Sequence, residues 1–148
     1  MKTAKILLIE DQFLIAFDMK HQLIEMDYSV VGIFSDAEEG LSFLEKTLDK
    51  PNFPDVIVSD ISLRGKMTGL EFFKIVEAKY NCEFVFISGY IDLKLFNETI
   101  RTRPSVFVNK PFDIGFVHNA IQISLYRLEL KNENRQLKQE LEKIKGQG

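Results

Sequence analysis

Lys5-Ile6-Leu7-Leu8-Ile9-Glu10-Asp11 opens the chain with an apolar run that stops abruptly on two carboxylates. A run of this length that is continuously apolar, rather than alternating, suits a parallel strand covered on both faces. Four further runs rich in β-branched and aromatic residues follow, at 29–34, 55–59, 83–87 and 105–108. Helical spacing fills the gaps between them. Residues 12–26 carry Phe13, Ala16, Phe17, Leu23 and Ile24 at such a spacing, interrupted by Lys20. Asp36 with Glu39 three residues on forms a partial capping box, and segments 68–80 and 92–101 begin on Thr68 and Asp92, both good N-cap residues. Strand and helix alternating five times predict an α/β fold, a doubly wound (βα)5 five-stranded parallel sheet with right-handed crossovers.

The last helical pattern is longer than a domain needs. From Asp113 it runs to Lys145 with no proline, and with no glycine between Gly115 and Gly146. At 1.5 Å per residue such a helix is a rod of roughly 50 Å. Composition shifts near Tyr126 to Lys, Glu, Asn and Gln. The expected organisation is therefore a domain over 1–125 and a helical tail over 126–148. In the tail, Ile123, Leu130, Leu137 and Ile144 fall on heptad d positions, and Arg127, Asn134 and Leu141 on a. An Asn at one a position fixes register in parallel dimers, and Glu133 and Glu140 at g would face Lys138 and Lys145 at e of a second copy. A parallel homodimer is the expected use of the tail, with a solvated helix as the alternative.

Bulk composition excludes more than it assigns. The 19 basic and 22 acidic side chains leave a net charge of -3, so no clustered cationic surface for a phosphate backbone is expected. The apolar runs are too short to span a bilayer, and no leader-like segment precedes the first strand. Cys82 is the single cysteine, which excludes an intrachain disulfide and fits a reducing cytoplasm.

The chemistry collects at the carboxyl ends of the strands, where open parallel sheets bind ligands. Glu10 and Asp11 follow the first run, Asp60 the third, Ser88 the fourth, and Lys110-Pro111 the fifth. Three carboxylates brought together repel one another unless positive charge intervenes, and one lysine does not offset three. A hard divalent cation with oxygen ligands does, and Mg2+ characteristically takes one or two carboxylates with a phosphoryl group. Asp60 then has a role as nucleophile toward phosphorus, with Lys110 and the Ser88 hydroxyl stabilising charge.

Four motifs carry a resemblance to a known family. They are Leu7-Leu8-Ile9-Glu10-Asp11, Val56-Ile57-Val58-Ser59-Asp60, Phe86-Ile87-Ser88-Gly89 and Val108-Asn109-Lys110-Pro111-Phe112. Each is weak alone, but in order, with Asp11, Asp60, Ser88 and Lys110 spaced by 49, 28 and 22 residues, they are specific. The chain resembles the receiver domain of two-component response regulators from residue 4 to about 125. The resemblance implies the flavodoxin-like strand order 2-1-3-4-5 and a regulatory phospho-acceptor rather than a metabolic enzyme. Asp60 would take a phosphoryl group from a sensor histidine kinase or phosphotransfer protein, and later lose it slowly by self-catalysed hydrolysis. Glu10, Asp11 and Asp60 would hold Mg2+ together with the backbone carbonyl of Ser62. Lys110 would bind phosphoryl oxygens, with a cis peptide to Pro111. Ser88 and Phe107 would form the switch that reshapes the face made by the fourth helix, the fifth strand and the last helix. The resemblance also implies a cytoplasmic address, without membrane insertion or direct nucleic-acid binding.

Several residues depart from the commonest receiver pattern. The loop Ile61-Ser62-Leu63-Arg64-Gly65-Lys66-Met67-Thr68-Gly69 lacks a proline and is one residue longer, in the manner of a subgroup with Asp-Ile-x-Leu-x-Gly. Phe107 replaces a commoner tyrosine, and Tyr90 stands where it would shield the phosphoryl group from water. Outside the site, Asp36, Asp92 and Asp113 read as helix caps, His21 and His118 as surface or packing residues, and Phe72 and Phe73 as core. Two alternatives compete with the receiver reading. An aspartate-nucleophile phosphatase of the haloacid dehalogenase type would carry a second Asp where Ser62 stands. A phosphorylation-independent docking module would not need the retained site residues. With about 23 residues after Leu125, either a stand-alone receiver or the front of a longer protein is expected.

Overall fold

Every strand runs parallel to its neighbours, in the order β2-β1-β3-β4-β5. A computed structural model describes residues 3–63, 65–89, 106–110 and 112–147. The described elements are β1 (Lys5–Ile9), α1 (Phe13–Glu25), β2 (Ser29–Phe34), α2 (Ala37–Thr47), β3 (Val56–Asp60), α3 (Gly69–Lys79), β4 (Glu83–Ser88), β5 (Val106–Asn109) and α4 (Ile114–Gly146). The α/β doubly wound arrangement and its strand order are as the sequence predicts. The helix expected at 92–101, the first residue of the expected fifth strand (Ser105), Tyr90 and the Lys110–Pro111 peptide lie outside the described residues. Three strands end one residue later than predicted, β5 on Asn109 among them. Asp60 closes β3 and Ser88 closes β4, because Asp60 still pairs with Ile87 and Ser88 with Asn109.

The pleat divides the core. Leu7, Ile9, Ile57, Phe84 and Phe86 turn toward Leu44 of α2 and Phe72, Phe73 and Val76 of α3. Ile6, Leu8, Val58, Val85 and Ile87 turn toward Met19 and Leu23 of α1 and Val117 and Ile121 of α4. Alternate residues of each strand therefore bury on opposite faces, which is why the runs read as continuously apolar. Phe73 packs edge-on against Phe84 and Phe86 at 5.3 Å between centroids, a favoured aromatic geometry. The caps behave as expected: Asp36 accepts from the Glu39 amide at 2.8 Å, Thr68 from Glu71 at 3.1 Å and Asp113 from Gly115 at 3.0 Å. His21 is exposed against the Phe17 ring. His118 Nδ1 lies 2.7 Å from the buried Tyr28 hydroxyl, a packing partnership between α4 and the start of β2.

Packing of α4 on the sheet continues past residue 125. Leu128 is buried. Glu83, at the start of β4 and 1% exposed, lies 3.2 Å from Lys131 Nζ and 3.9 Å from Arg127 Nε. Asn81 donates to the Asn132 side-chain oxygen at 2.9 Å. Charged residues in this stretch read as tail in the sequence, yet two of them reach back to a carboxylate hidden under the helix. No described helix is long and apolar enough to cross a membrane.

Candidate functional site

Strand order reverses between β1 and β3, and that switch point brings the ends of β1, β3 and β5 into one cleft. The extended geometry of β1 ends at Ile9, so Glu10 and Asp11 occupy the connection into α1, and the Glu10 amide still donates to Phe34 O of β2 at 3.0 Å. Carboxylate oxygens of Glu10, Asp11 and Asp60 all lie within 4.8 Å of one another. Glu10 and Asp60 are buried, and Asp11 is half-buried. Lys110, just past β5, donates from Nζ to Asp60 Oδ2 at 2.7 Å and stands 3.5 Å from Glu10 Oε1. The other Asp60 oxygen accepts from the Ser62 amide at 2.8 Å. Both oxygens of Asp60 are thus held, which fixes its rotamer.

Ser88 lies one strand over, buried at the end of β4, and its carbonyl accepts from the Lys110 amide at 2.7 Å. The same backbone that carries Ser88 therefore sets the height of Lys110. Phe107 is half-buried on β5 and stacks on Phe86 at 5.3 Å, away from the carboxylates. Glu10, Asp11, Asp60, Ser62, Ser88 and Lys110 meet at one edge of the sheet; Phe107 belongs to the side packed against β4.

The electrostatics are those of crowded negative charge. Burial, reinforced by the Asp60 charge, lifts the Glu10 carboxyl from 4.5 to about 7, even though Lys110 and the Gln12 amide pull it down. Burial works against the Lys110 ammonium, but Asp60 and Glu10 together outweigh it and raise its pKa. Among the described residues, Glu10 Oε2 is buried with no hydrogen-bond donor. A buried acceptor of this kind, within a set of oxygen ligands, fits a hard divalent cation.

Gly69 is a site residue that the motifs did not single out. A β-carbon there would stand 2.6 Å from the Asp60 carbonyl oxygen and 2.8 Å from Ile61 Cα. The start of α3 leans directly on the backbone that carries Asp60, and only glycine permits the approach. A glycine placed immediately after an N-cap threonine was the available signal.

Comparison with known proteins agrees with the fold. The family model for the response regulator receiver domain matches residues 6–122. The phyllosphere-induced regulator PhyR of Methylorubrum extorquens is 27% identical over 122 residues, covering 82% of this chain and 43% of its own length. This chain thus spans less than half of that curated relative. Among solved structures, the signal receiver domain of a modulated diguanylate cyclase from Desulfovibrio desulfuricans superposes with a TM-score of 0.76 at 27% identity, covering 88% of this chain and 99% of that one. The anti-anti-sigma factor PhyR of Bartonella quintana shares the fold at a TM-score of 0.74 and 23% identity, over 91% of this chain and 52% of its own. The chain belongs to the response regulator receiver domain family.

Proposed function

We propose that this chain is the phospho-acceptor of a two-component phosphorelay, with Asp60 as the residue modified. The observation that carries the reading is Asp60 held by Lys110 at 2.7 Å inside a trio of carboxylates within 4.8 Å. An Asp60 carboxylate oxygen attacks the phosphorus of a phosphohistidine. The P–N bond breaks, its electron pair returns to the imidazole, and an acyl phosphate remains on Asp60. The Ser62 amide keeps the carboxylate aimed outward, Lys110 shifts its donation to the incoming phosphoryl oxygens, and Ser88 donates its hydroxyl to another. Mg2+, held by Glu10, Asp11, Asp60 and the Ser62 carbonyl, would neutralise charge on the phosphoryl oxygens. Ser88 and Phe107 form the switch, and movement of Ser88 is passed to the face of β5 and α4.

The donor is a sensor kinase or phosphotransfer protein in the cytoplasm. Phe13 and Leu14 at the start of α1 are 74% and 80% exposed and follow directly on Asp11. Phe13 stacks on Phe17 at 5.9 Å to make an aromatic ridge beside the acceptor, and a donor helix seated there brings its histidine to Asp60. The exposed stripe of α4 joins two copies in a parallel homodimer. Incubation with acetyl phosphate and Mg2+ tests the central claim: one phosphoryl group is gained by the wild type and none by Asp60→Asn. Steady turnover of phosphomonoesters, or no gain by the wild type, overturns it.

A further inference from the structure

Ser59 is a polar residue in an apolar layer. By the pleat it shares the face of Ile57, the one covered by α2 and α3, and it is 0% exposed between Ile9 of β1 and Phe86 of β4. A hydroxyl buried there loses its water and needs a partner. Its Oγ donates to the Asp60 carbonyl oxygen at 3.1 Å. That carbonyl stands where the sheet stops supplying donors. The ladder between β1 and β3 ends at Ile9 and Ser59, and the next amide, that of Glu10, turns to Phe34 of β2. A buried backbone carbonyl left without a donor is costly.

The same bond begins a series of restraints. The peptide plane between Asp60 and Ile61 is held at both ends, since Ser59 donates to the Asp60 oxygen and the Ile61 amide donates to Ile87 O at 2.9 Å. The next plane, between Ile61 and Ser62, is held at both ends as well. Ile61 O accepts from the Gly69 amide at 3.3 Å, and the Ser62 amide donates to Asp60 Oδ1 at 2.8 Å. The backbone of Gly69 closes the far side, near enough that a β-carbon there would stand 2.6 Å from the Asp60 oxygen. The group that follows these planes is the Ser62 carbonyl. Two fixed planes set its direction, and the Asp60 carboxylate is tied to the second of them.

We propose that Ser59 is a positioning residue for the metal site. Its hydroxyl pins the first plane, and the pinned planes aim the Ser62 carbonyl and the Asp60 carboxylate at one Mg2+. This rests on the receiver reading above and deepens it. Without the hydroxyl the Asp60 carbonyl loses that donor, and the first plane is held at the Ile61 amide alone. Cation binding must then order the Ser62 carbonyl as well as engage it. Ser59 lies on the α2 and α3 face of the sheet and acts through the backbone, so the loss falls on cation affinity ahead of the chemistry at phosphorus.

The test titrates the full 148-residue chain with Mg2+ by calorimetry, and follows acetyl phosphate labelling across a range of Mg2+, both under reducing conditions. Ser59→Ala removes the hydroxyl with its volume, and Ser59→Cys removes the strong donor while keeping the volume. Both raise the Mg2+ dissociation constant about three- to tenfold, the effect of one lost hydrogen bond. The Mg2+ concentration for half-maximal labelling rises by the same factor, while the rate at saturating Mg2+ falls less. Ser59→Thr retains the hydroxyl and binds Mg2+ as the wild type does. Unchanged Mg2+ affinity in Ser59→Ala and Ser59→Cys, whatever their stability to urea, overturns the inference. So does wild-type affinity in Ser59→Cys alone, which assigns the effect to volume, or a Ser59→Thr as weak as Ser59→Ala. A wild type that binds Mg2+ yet gains no phosphoryl group overturns the phospho-acceptor reading and leaves the role of Ser59 standing. Labelled variants that all bind Mg2+ equally overturn the role of Ser59 and leave the acceptor standing.

Discussion

Replacing Glu10 by glutamine isolates the electrostatic strain of the site. In the metal-free protein the Glu10 carboxyl titrates near 7 rather than 4.5, chiefly because it is buried and secondarily because Asp60 repels it. Between those values the folded state holds a proton that the unfolded chain has released. Stability contributed by that proton is complete below about pH 4.5 and is lost as pH rises through about 7. The difference between about 7 and 4.5, at about 1.36 kcal/mol per pH unit, caps the effect near roughly 3 kcal/mol. Titration shared with Asp60 and Lys110 reduces it, so about 1–3 kcal/mol is expected. Glutamine keeps an oxygen for the Gln12 amide and for Lys110 but never charges. Glu10→Gln should therefore match the wild type near pH 5 and exceed it at pH 8, measured by urea unfolding in EDTA. Parallel stability curves for the two proteins between pH 5 and 8, or a less stable variant at pH 8, would refute the reasoning. Adding Mg2+ at pH 8 should narrow the gap, since a cation among the carboxylates stabilises the wild type more than the variant.

Other perturbations probe neighbouring contacts. Gly69→Ala forces a methyl against the backbone of Asp60 and Ile61, and should cost about 1–3 kcal/mol of stability by urea unfolding. Lys110→Met removes the donor on Asp60 and should slow acetyl phosphate labelling at least about tenfold, read by intact mass against time. Glu83 is buried while its partners are half-exposed, so the two halves of the clamp are unequal. Arg127→Met with Lys131→Met strips cations from a buried carboxylate and should cost roughly 2–3 kcal/mol, whereas Glu83→Gln, which lets both cations turn to water, should cost about 1 kcal/mol.

The strand ends were legible because two signals coincide there. An apolar run buried on both faces stops where the chain reaches the sheet edge, and Asp60, Ser88 and Lys110 stand at those stops. Asp36, Thr68 and Asp113 were legible as caps for an equally local reason, since an N-cap bond spans only two or three residues. Gly69 was not legible as a site residue, because its role is a close approach to a strand nine residues earlier. Nor was the Glu83 clamp. In sequence Glu83 looks like the polar start of a strand, and Arg127 and Lys131 look like a solvated helix face. They meet only because Val117, Ile121 and Leu128 set the rotation of α4 on the sheet.

That rotation also decides what the heptad means. The sequence places Arg127 at an a position of the heptad, where a buried guanidinium would weaken a coiled coil. In the fold Arg127 flanks the packed face of α4, and its side chain reaches to Glu83. Its charge is matched within its own chain, and so is that of Lys131. β4 carries both ends of this arrangement, Glu83 at the foot beside α4 and Ser88 at the head beside Lys110. At the head, among the described residues, Glu10, Asp11 and Asp60 gather around Lys110, a donor set that suits a cation and a phosphoryl group. At the foot, the buried carboxylate is balanced by cations and holds a helix.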